Sequence, residues 1–368
     1  MDIASKIPVY VKVALIFIGV FAFVFTMYIG QEIILPLVFA ALIAILLNPV
    51  VNFLMKKKIG KIFSISIVVV LATVAVMGIL YLISSQITVF RETFPQLKDK
   101  VTSINNNFID WVSVNFRIPR TDIISWIKNS ENGIMHNFSI GENLFILGKF
   151  MVDSVILPIY AFLILYYKPL ILDFILKLFR KQHHATVTEV LISTKKIIQS
   201  YLVGVFIEML IIAILNTASL LLLGIDYAII LGILGAIINI IPYLGGIIAM
   251  LIPMIIACVT KDSISYTIYI FIIFTLISFI DNHYIKPYIV ASRIKINALV
   301  ALIVIFIGDA IWGIPGMFLS IPLTAMAKVI FDHIESLKPF GFILGNTMPA
   351  SSKFSFLNKK QKVANTHA

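Results

Sequence analysis

Long stretches without a charged side chain occupy most of this chain and limit what it can fold into. One of them, 227–260, runs for 34 residues, and several others reach the roughly 20 apolar residues that a helix needs to cross a bilayer. The composition agrees, because 60% of the 368 residues are apolar and 13% are charged, against about 25% charged in soluble domains. A water-soluble enzyme is excluded, and we predict an all-α, polytopic integral membrane protein.

Six stretches have the length and composition of single spanning helices. They are 13–30, 33–55, 62–90, 150–167, 197–225 and 263–280. A seventh stretch, 296–334, is interrupted at Gly313, Pro315 and Gly316, where glycine and proline break a helix. Each of its arms has roughly 18 residues, or about 27 Å of helix. The sequence therefore predicts about eight transmembrane helices.

The 227–260 stretch predicts a different element. As one helix it would be about 51 Å long, far more than the roughly 30 Å of a hydrocarbon core. It is interrupted at Pro242, Tyr243, Gly245 and Gly246, and each arm then reaches only about 22 Å. We expect a re-entrant hairpin whose tip lies at membrane depth, where other protein or a water-filled cavity satisfies its backbone groups.

The basic residues are distributed asymmetrically between the two sides of these spans. With the N-terminus inside, 20 of the 29 lysines and arginines fall on one side, and basic loops stay in the cytoplasm. We therefore expect both termini to be cytoplasmic, in a bacterial inner membrane. The net charge of +11 is accounted for by this orientation, and we predict no nucleic-acid partner.

Two regions can fold outside the bilayer. Residues 91–149 carry both charge signs and apolar residues at helical spacing, which predicts a small external helical domain. Residues 170–196 are basic and apolar, which is typical of amphipathic helices on an anionic inner leaflet. The domain division is 1–90 (spans 1–3), 91–149 (external domain), 150–196 (span 4 and amphipathic segment), 197–335 (C-terminal core with the hairpin 227–260) and 336–368 (cytoplasmic basic tail).

Polar side chains inside the apolar runs are the candidate transport and ion-coupling groups. They are Glu208, Asn239, Asp281, Asn282 and Asp309. A charge at the bilayer centre costs about 2.5–3.5 kcal/mol on insertion scales, so a carboxyl there needs a partner, a proton or a cavity. Two interpretations remain open, namely ion coupling and a protonated structural acid that holds helices together. No catalytic, cofactor or metal-binding motif is present.

Motifs in the C-terminal half resemble those of the autoinducer-2 exporter family of permeases. They are Tyr-Leu-Val-Gly at 201–204, Leu-Gly-Ile-Asp at 223–226, Asn-Ile-Ile-Pro-Tyr-Leu-Gly at 239–245, Asp-Asn at 281–282 and Gly-Ile-Pro-Gly at 313–316. The resemblance extends over about 10–335. It implies a homo-oligomeric permease that exports a small hydrophilic solute such as autoinducer-2, driven by an ion gradient. Since other members are described as sodium/proton antiporters, such an antiporter is the first alternative.

Two other classes of membrane protein are alternatives to a transporter. An intramembrane aspartyl protease would need Asp281 and Asp309 to share a proton, but Phe-Ile precedes Asp281 and Phe-Ile-Gly precedes Asp309, and neither matches the tyrosine-aspartate or G-x-G-D signatures. A non-transporting membrane scaffold would leave the intramembrane acids unexplained. We therefore predict a transporter and not an enzyme, whose partners are the lipid bilayer, a small solute and sodium or a proton.

Overall fold

The computed structural model describes residues 8–116, 119–121, 124–125, 140–241, 244–261, 263–290 and 296–346. Over these residues the fold is all-α, as the sequence predicts, apart from an isolated β-bridge between Ile296 and Gly345. The helices are α1 (Val9–Ile29), α2 (Gln31–Lys56), α3 (Lys61–Phe116), α4 (Ile140–Lys177), α5 (His184–Leu222), α6 (Ala228–Ile238), α7 (Leu244–Thr260), α8 (Ser265–Ile280), α9 (Lys286–Ile289), α10 (Ala298–His333) and α11 (Lys338–Leu344). One turn of π-helix, Asp281–Ile285, joins α8 to α9.

Seven helical units of the described part are long and apolar enough to cross a membrane. They are α1, α2, α3, α4, α5, the continuous α8–π–α9 unit and α10. Because α10 is broken into two arms, the number of potential spans reaches the eight expected from the sequence. Helices α6 and α7 are shorter apolar helices, which agrees with a hairpin instead of two full spans. The chain is a multi-pass membrane protein.

Helix α10 turns back on itself at Gly313. This residue has φ 63° and ψ −145°, a conformation that side chains with a Cβ rarely adopt. The arms then run side by side, because a Cβ placed on Gly308 would lie 2.4 Å from the carbonyl oxygen of Gly316. Two glycines thus let the two backbones touch, and Pro315 begins the second arm where a missing backbone N–H costs nothing.

Helices α6 and α7 form a second, tighter hairpin. Backbone bonds from Ile240 to Ile237 O and from Ile241 to Ile238 O form the described part of the turn that ends α6. A Cβ on Gly245 would lie 2.2 Å from the carbonyl oxygen of Ile238 and 2.7 Å from Cα of Asn239. The backbones of the two arms are therefore in direct contact at Gly245. Pro242 and Tyr243, which we also placed at this tip, lie outside the described residues.

We expect Gly245→Ala to open this turn, because backbone atoms cannot move aside as a flexible side chain can. Gly246→Ala is the matched control, since its Cβ would lie 3.5 Å from Asn239 Oδ1, an ordinary contact. In purified protein Gly245→Ala should lower the thermal midpoint, while Gly246→Ala stays near wild type. Equal behaviour of the two variants would contradict a tightly packed tip.

The N-terminal helices differ in how far they are covered. Helices α2, α3 and α4 share a core of Ala44, Val51, Ile65, Val68 and Leu165. Helix α1 has no buried residue in its spanning part, and its exposed phenylalanines are suited to contact with lipid. Its end is held to the α10 turn, where the indole N–H of Trp312 donates to Met27 O at 2.9 Å.

Three domain boundaries drawn from the sequence fall inside continuous helices. Helix α3 passes 90/91 and, at 56 residues, is about 84 Å long. Helices α4 and α5 similarly pass 149/150 and 196/197 without a break. Hydropathy marks where a helix leaves an apolar environment, but backbone hydrogen bonds continue into its polar part. The external domain stays a prediction, because most side chains of 91–149, including Trp126, lie outside the described residues.

The predicted tail, 336–368, begins with an ordered element. Helix α11 packs against α10, and Asn297 Nδ2 donates to Ile343 O at 2.6 Å. A Cβ on Gly341 would lie 2.2 Å from Asp332 Oδ1, so α11 contacts both ends of α10. Residues 336–346 are therefore part of the packed structure, and 347–368 lie outside the described residues.

Candidate functional site

Asp281 and Lys286 form an ion pair at the π turn. Lys286 Nζ lies 2.8 Å from Asp281 Oδ2, and Asp281 is 1% exposed. The two residues are five positions apart, a spacing that points side chains apart on an α-helix. In the π turn the N–H of Lys286 bonds to the carbonyl of Asp281, because a π-helix pairs residues i and i+5. The wider turn stacks the lysine above the aspartate.

Glu208 approaches the same lysine from α5. Its Oε1 lies 3.5 Å from Lys286 Nζ, and the residue is 7% exposed within the protein. Lys286 itself keeps 34% of its side-chain surface. Glu208 lies in the middle of an apolar helix, and its side chain points toward α9. The carboxyl therefore faces other protein groups and not lipid, which keeps it a functional candidate.

The α6–α7 hairpin contributes Asn239, the first residue after α6. Its Nδ2 donates to Asp281 Oδ2 at 3.0 Å. The close approach at Gly245 fixes the position of Asn239, because Asn239 Cα is one of the atoms that a larger residue would strike. The broken hairpin thus holds an amide against the buried aspartate.

A cavity of about 640 Å³ opens beside these groups. Its polar lining consists of Tyr201, Glu208, Asn239, Ser278, Asn282 and Lys286. Apolar side chains of α10, among them Ala301, Ile305 and Ile321, close another side. Cavities of 300–1,000 Å³ are typical of small-molecule sites, and most of the wall is apolar with a few convergent polar groups, as such sites require.

A smaller void lies next to this cavity and contains unsatisfied polar atoms. It is lined by Asn216, Asn239, Gly246, Ser278 and Asp281, among others. Asp281 Oδ1 and Asn216 Oδ1 are buried and have no hydrogen-bond partner among the described residues. Unsatisfied buried acceptors cost about 1–3 kcal/mol each, more when charged, so both oxygens are available to a donor or cation that enters.

The charges of this site do not balance. Among the described residues around the two cavities, the charged groups are the carboxyls of Glu208 and Asp281 and the ammonium of Lys286. With all three ionised, these described groups carry one excess negative charge, which is costly at membrane depth. One proton or one monovalent cation restores neutrality. In the described part no three His, Cys, Asp or Glu side chains come together as a metal site.

The structure separates Asp309 from the other candidate acids. Asp309 is exposed on the first arm of α10, whereas Asp281 is buried against Lys286 and Asn239. Among the described contacts the two aspartates therefore do not form the proton-sharing pair that an aspartyl protease needs. Gly313, Pro315 and Gly316 shape the α10 turn and do not line the cavity.

Lys286 is a candidate functional residue that the sequence pattern does not single out. By sequence it is one of the basic residues that follow a span and indicate the cytoplasmic side. The sequence does contain a clue, because Pro287 follows it and lacks the N–H that a regular helix would use. Nothing in the sequence alone shows that the turn before this proline is wide enough to bring Lys286 over Asp281.

Comparisons with known proteins agree with this architecture. The family model described as AI-2E family transporter matches residues 15–336. YrrI of Bacillus subtilis (strain 168) is 25% identical over 333 residues, 84% of this chain and 88% of that protein. A protein of Borreliella burgdorferi is 25% identical over 360 residues, 96% of this chain and 93% of its own length. Both names describe a transport protein and state no substrate.

A third relative has a more specific name. The AI-2 transport protein TqsA of Escherichia coli (strain K12) is 22% identical over 324 residues, which are 86% of this chain and 90% of that protein. The family match over residues 15–336 covers both hairpins and the cavity between them, so it includes the whole candidate site.

Proposed function

This chain belongs to the AI-2E family of transporters, and on that premise we propose that it exports a small hydrophilic solute such as autoinducer-2, driven by an ion gradient. Membrane permease is the function that the family establishes. The solute, the direction and the driving force are our proposal. The relative named for autoinducer-2 transport supports the choice of solute.

The observation that carries the proposal is the Lys286–Asp281–Glu208 cluster beside the 640 Å³ cavity. A hydroxyl-rich solute needs hydrogen-bond donors and acceptors within an otherwise apolar wall, and the cavity offers Asn239, Asn282 and Ser278. Broken helices such as the α6–α7 hairpin are typical of transporter binding sites, since their free backbone ends can coordinate an ion or a polar solute.

The coupling ion fits the excess negative charge of the same cluster. A proton on one carboxyl, or a sodium ion held by oxygens that include the unpaired Asp281 Oδ1, neutralises the site. Binding and release of this ion changes the charge that faces the solute. The ion gradient is coupled to solute movement through this change.

A sodium/proton antiporter is the second candidate. Asp281 Oδ1 favours it, because a carboxylate oxygen that has no donor among the described residues is a natural ligand for a cation. In this alternative sodium and protons compete for the same two acids, and the cavity serves as the path of the ion.

Flux into proteoliposomes separates the two functions. Export predicts autoinducer-2 accumulation that depends on an imposed proton or sodium gradient. Antiport predicts sodium-driven proton movement without any solute. Cation exchange alone would replace the proposal by the second candidate, and absence of both fluxes in folded protein would contradict both.

We further propose an inner-membrane location with both termini in the cytoplasm, and a homo-oligomer as the resemblance implies. In a Cys258→Ser background, a cysteine at Asp110 should react with an impermeant reagent from outside the cell. Cysteines at Lys58 and Gln182 should react only after the cytoplasmic side is opened. Labelling of position 58 from outside would reverse the orientation, because Lys56 to Lys61 is its strongest determinant.

A further inference from the structure

A second group of polar side chains joins α2, α3, α4 and α5 outside the candidate site. Lys168 Nζ on α4 donates to Asn48 Oδ1 on α2 at 2.9 Å. Lys61, the first residue of α3, donates from Nζ to Tyr166 O at 2.7 Å. Lys195 on α5 and Lys61 both act on the Lys168 ammonium as like charges. We call Lys61, Lys168 and Lys195 the lysine cluster.

The lysine cluster has no counter-charge of its own. All three lysines are partly buried, and among the described residues none of them has a carboxylate within 4 Å. Three ammonium groups held together by four packed helices repel one another, and partial burial weakens the screening by water. An anion placed between them would stabilise this arrangement further.

Two further donors lie beside the lysine cluster. Asn48 is 5% exposed, and in the described part of the chain its Nδ2 has no hydrogen-bond partner, although its Oδ1 accepts from Lys168. Helix α3 begins at Lys61, so its first backbone N–H groups, which have no intrahelical acceptor, add partial positive charge. The missing partner is therefore an acceptor with several oxygens, and a phosphate group has this chemistry.

The position of the lysine cluster along the spans identifies the source of the phosphate. Lys61 directly precedes the apolar stretch 62–90, and Lys168 directly follows the apolar stretch 150–167. Both residues therefore lie where a spanning helix enters the headgroup region of the proposed cytoplasmic leaflet. Basic sites between helices at this level suit lipid headgroups.

We propose that the lysine cluster binds the phosphate of an anionic phospholipid, whose charge offsets the repulsion among the lysines of α3, α4 and α5. The lipid neutralises the three ammonium groups and accepts the free N–H of Asn48. It thereby fixes the helices that surround the start of α5, the helix that carries Glu208.

The test compares two charge-matched double variants of the full-length protein. Lys168→Gln with Lys195→Gln removes one lysine of the cluster from each of α4 and α5. Lys177→Gln with Lys196→Gln removes one exposed lysine from each of the same helices. Binding of phosphatidylglycerol, phosphatidylcholine and inorganic phosphate is measured on delipidated protein by native mass spectrometry and by thermal shift.

Wild type and the control should bind phosphatidylglycerol in preference to phosphatidylcholine, with a raised thermal midpoint. The cluster variant should lose about fivefold in phosphatidylglycerol affinity for each lysine removed. Equal affinity for the two lipids, or an equal loss in both double variants, would overturn the proposal. If inorganic phosphate alone reproduces the whole stabilisation, the site belongs to free phosphate and the assignment to lipid is wrong.

Lys195→Glu provides an independent variant should the double variant not fold. The new carboxylate brings a counter-charge to Lys168, so this variant should be as stable as wild type in phosphatidylcholine. It should show no preference for phosphatidylglycerol, because the anion is now part of the protein. A preference retained at the wild-type level would overturn the proposal.

Discussion

Glu208→Gln should abolish gradient-driven flux while the protein still inserts and keeps its thermal midpoint near wild type. Glutamine keeps the shape and an acceptor oxygen for Lys286, 3.5 Å away from Oε1, but an amide cannot bind or release a proton. The variant also leaves Asp281 and Lys286 as a neutral pair, which removes the excess negative charge that the coupling ion would balance. Flux of autoinducer-2 under imposed proton and sodium gradients is the measurement.

Glu189→Gln is the matched control for this prediction. Glu189 lies on the same helix, but 69% of its side chain is exposed and its partner is His333 at 3.8 Å. It should transport like wild type. Full, still gradient-dependent flux in Glu208→Gln would instead assign this acid to a structural role, and Asp309 would become the next candidate for coupling.

Lys286→Gln should cause the largest loss of stability among single changes at the site. It leaves Asp281, which is 1% exposed, without its cation. It also removes the positive charge that both carboxyls, of Asp281 and Glu208, contact. Removing one partner of a buried pair costs about 3–5 kcal/mol, and we expect the low end because Lys286 remains one-third exposed. Thermal unfolding in detergent should show a clear drop in the midpoint.

A double variant tests whether the buried charge causes this loss. Asp281→Asn with Lys286→Gln removes both members of the pair and keeps their approximate shapes, so stability should recover a substantial part of the loss. Transport should not recover with it, since the charge of the site has changed. A double variant as unstable as the sum of its single changes would show that Lys286 acts through packing and not through Asp281.

Lys286 belongs to the site because the π turn brings its ammonium over Asp281. Asp281 and Glu208 can be found from the sequence as charges inside apolar runs, because a charge inside the membrane is costly and therefore rare unless it has a partner. Lys286 cannot, since it follows the apolar run and resembles any lysine at a membrane boundary. Its role depends on one π turn, a local change in hydrogen bonding that hydropathy does not encode.

Asp309 shows the opposite case. By sequence it is as conspicuous as Glu208, an acid within a long apolar stretch. The structure places its side chain on the exposed side of α10, because the break at Gly313 decides how the arm turns relative to α5. The direction in which a helix face points follows from packing, and periodicity alone does not choose among neighbours.

Length and hydropathy determined the broad architecture of this protein. They predicted an all-α membrane protein, about eight spans, one hairpin too short to span, and breaks at glycine and proline, because bilayer thickness and backbone hydrogen bonding leave few alternatives. Tertiary structure alone decided which polar groups meet. Side chains from α5, the α6–α7 turn and the π turn converge at Asp281 and Lys286, and Lys168 of α4 meets Asn48 of α2, although 120 positions separate that last pair in the chain. Contacts between distant positions depend on how whole helices pack, which no local pattern specifies.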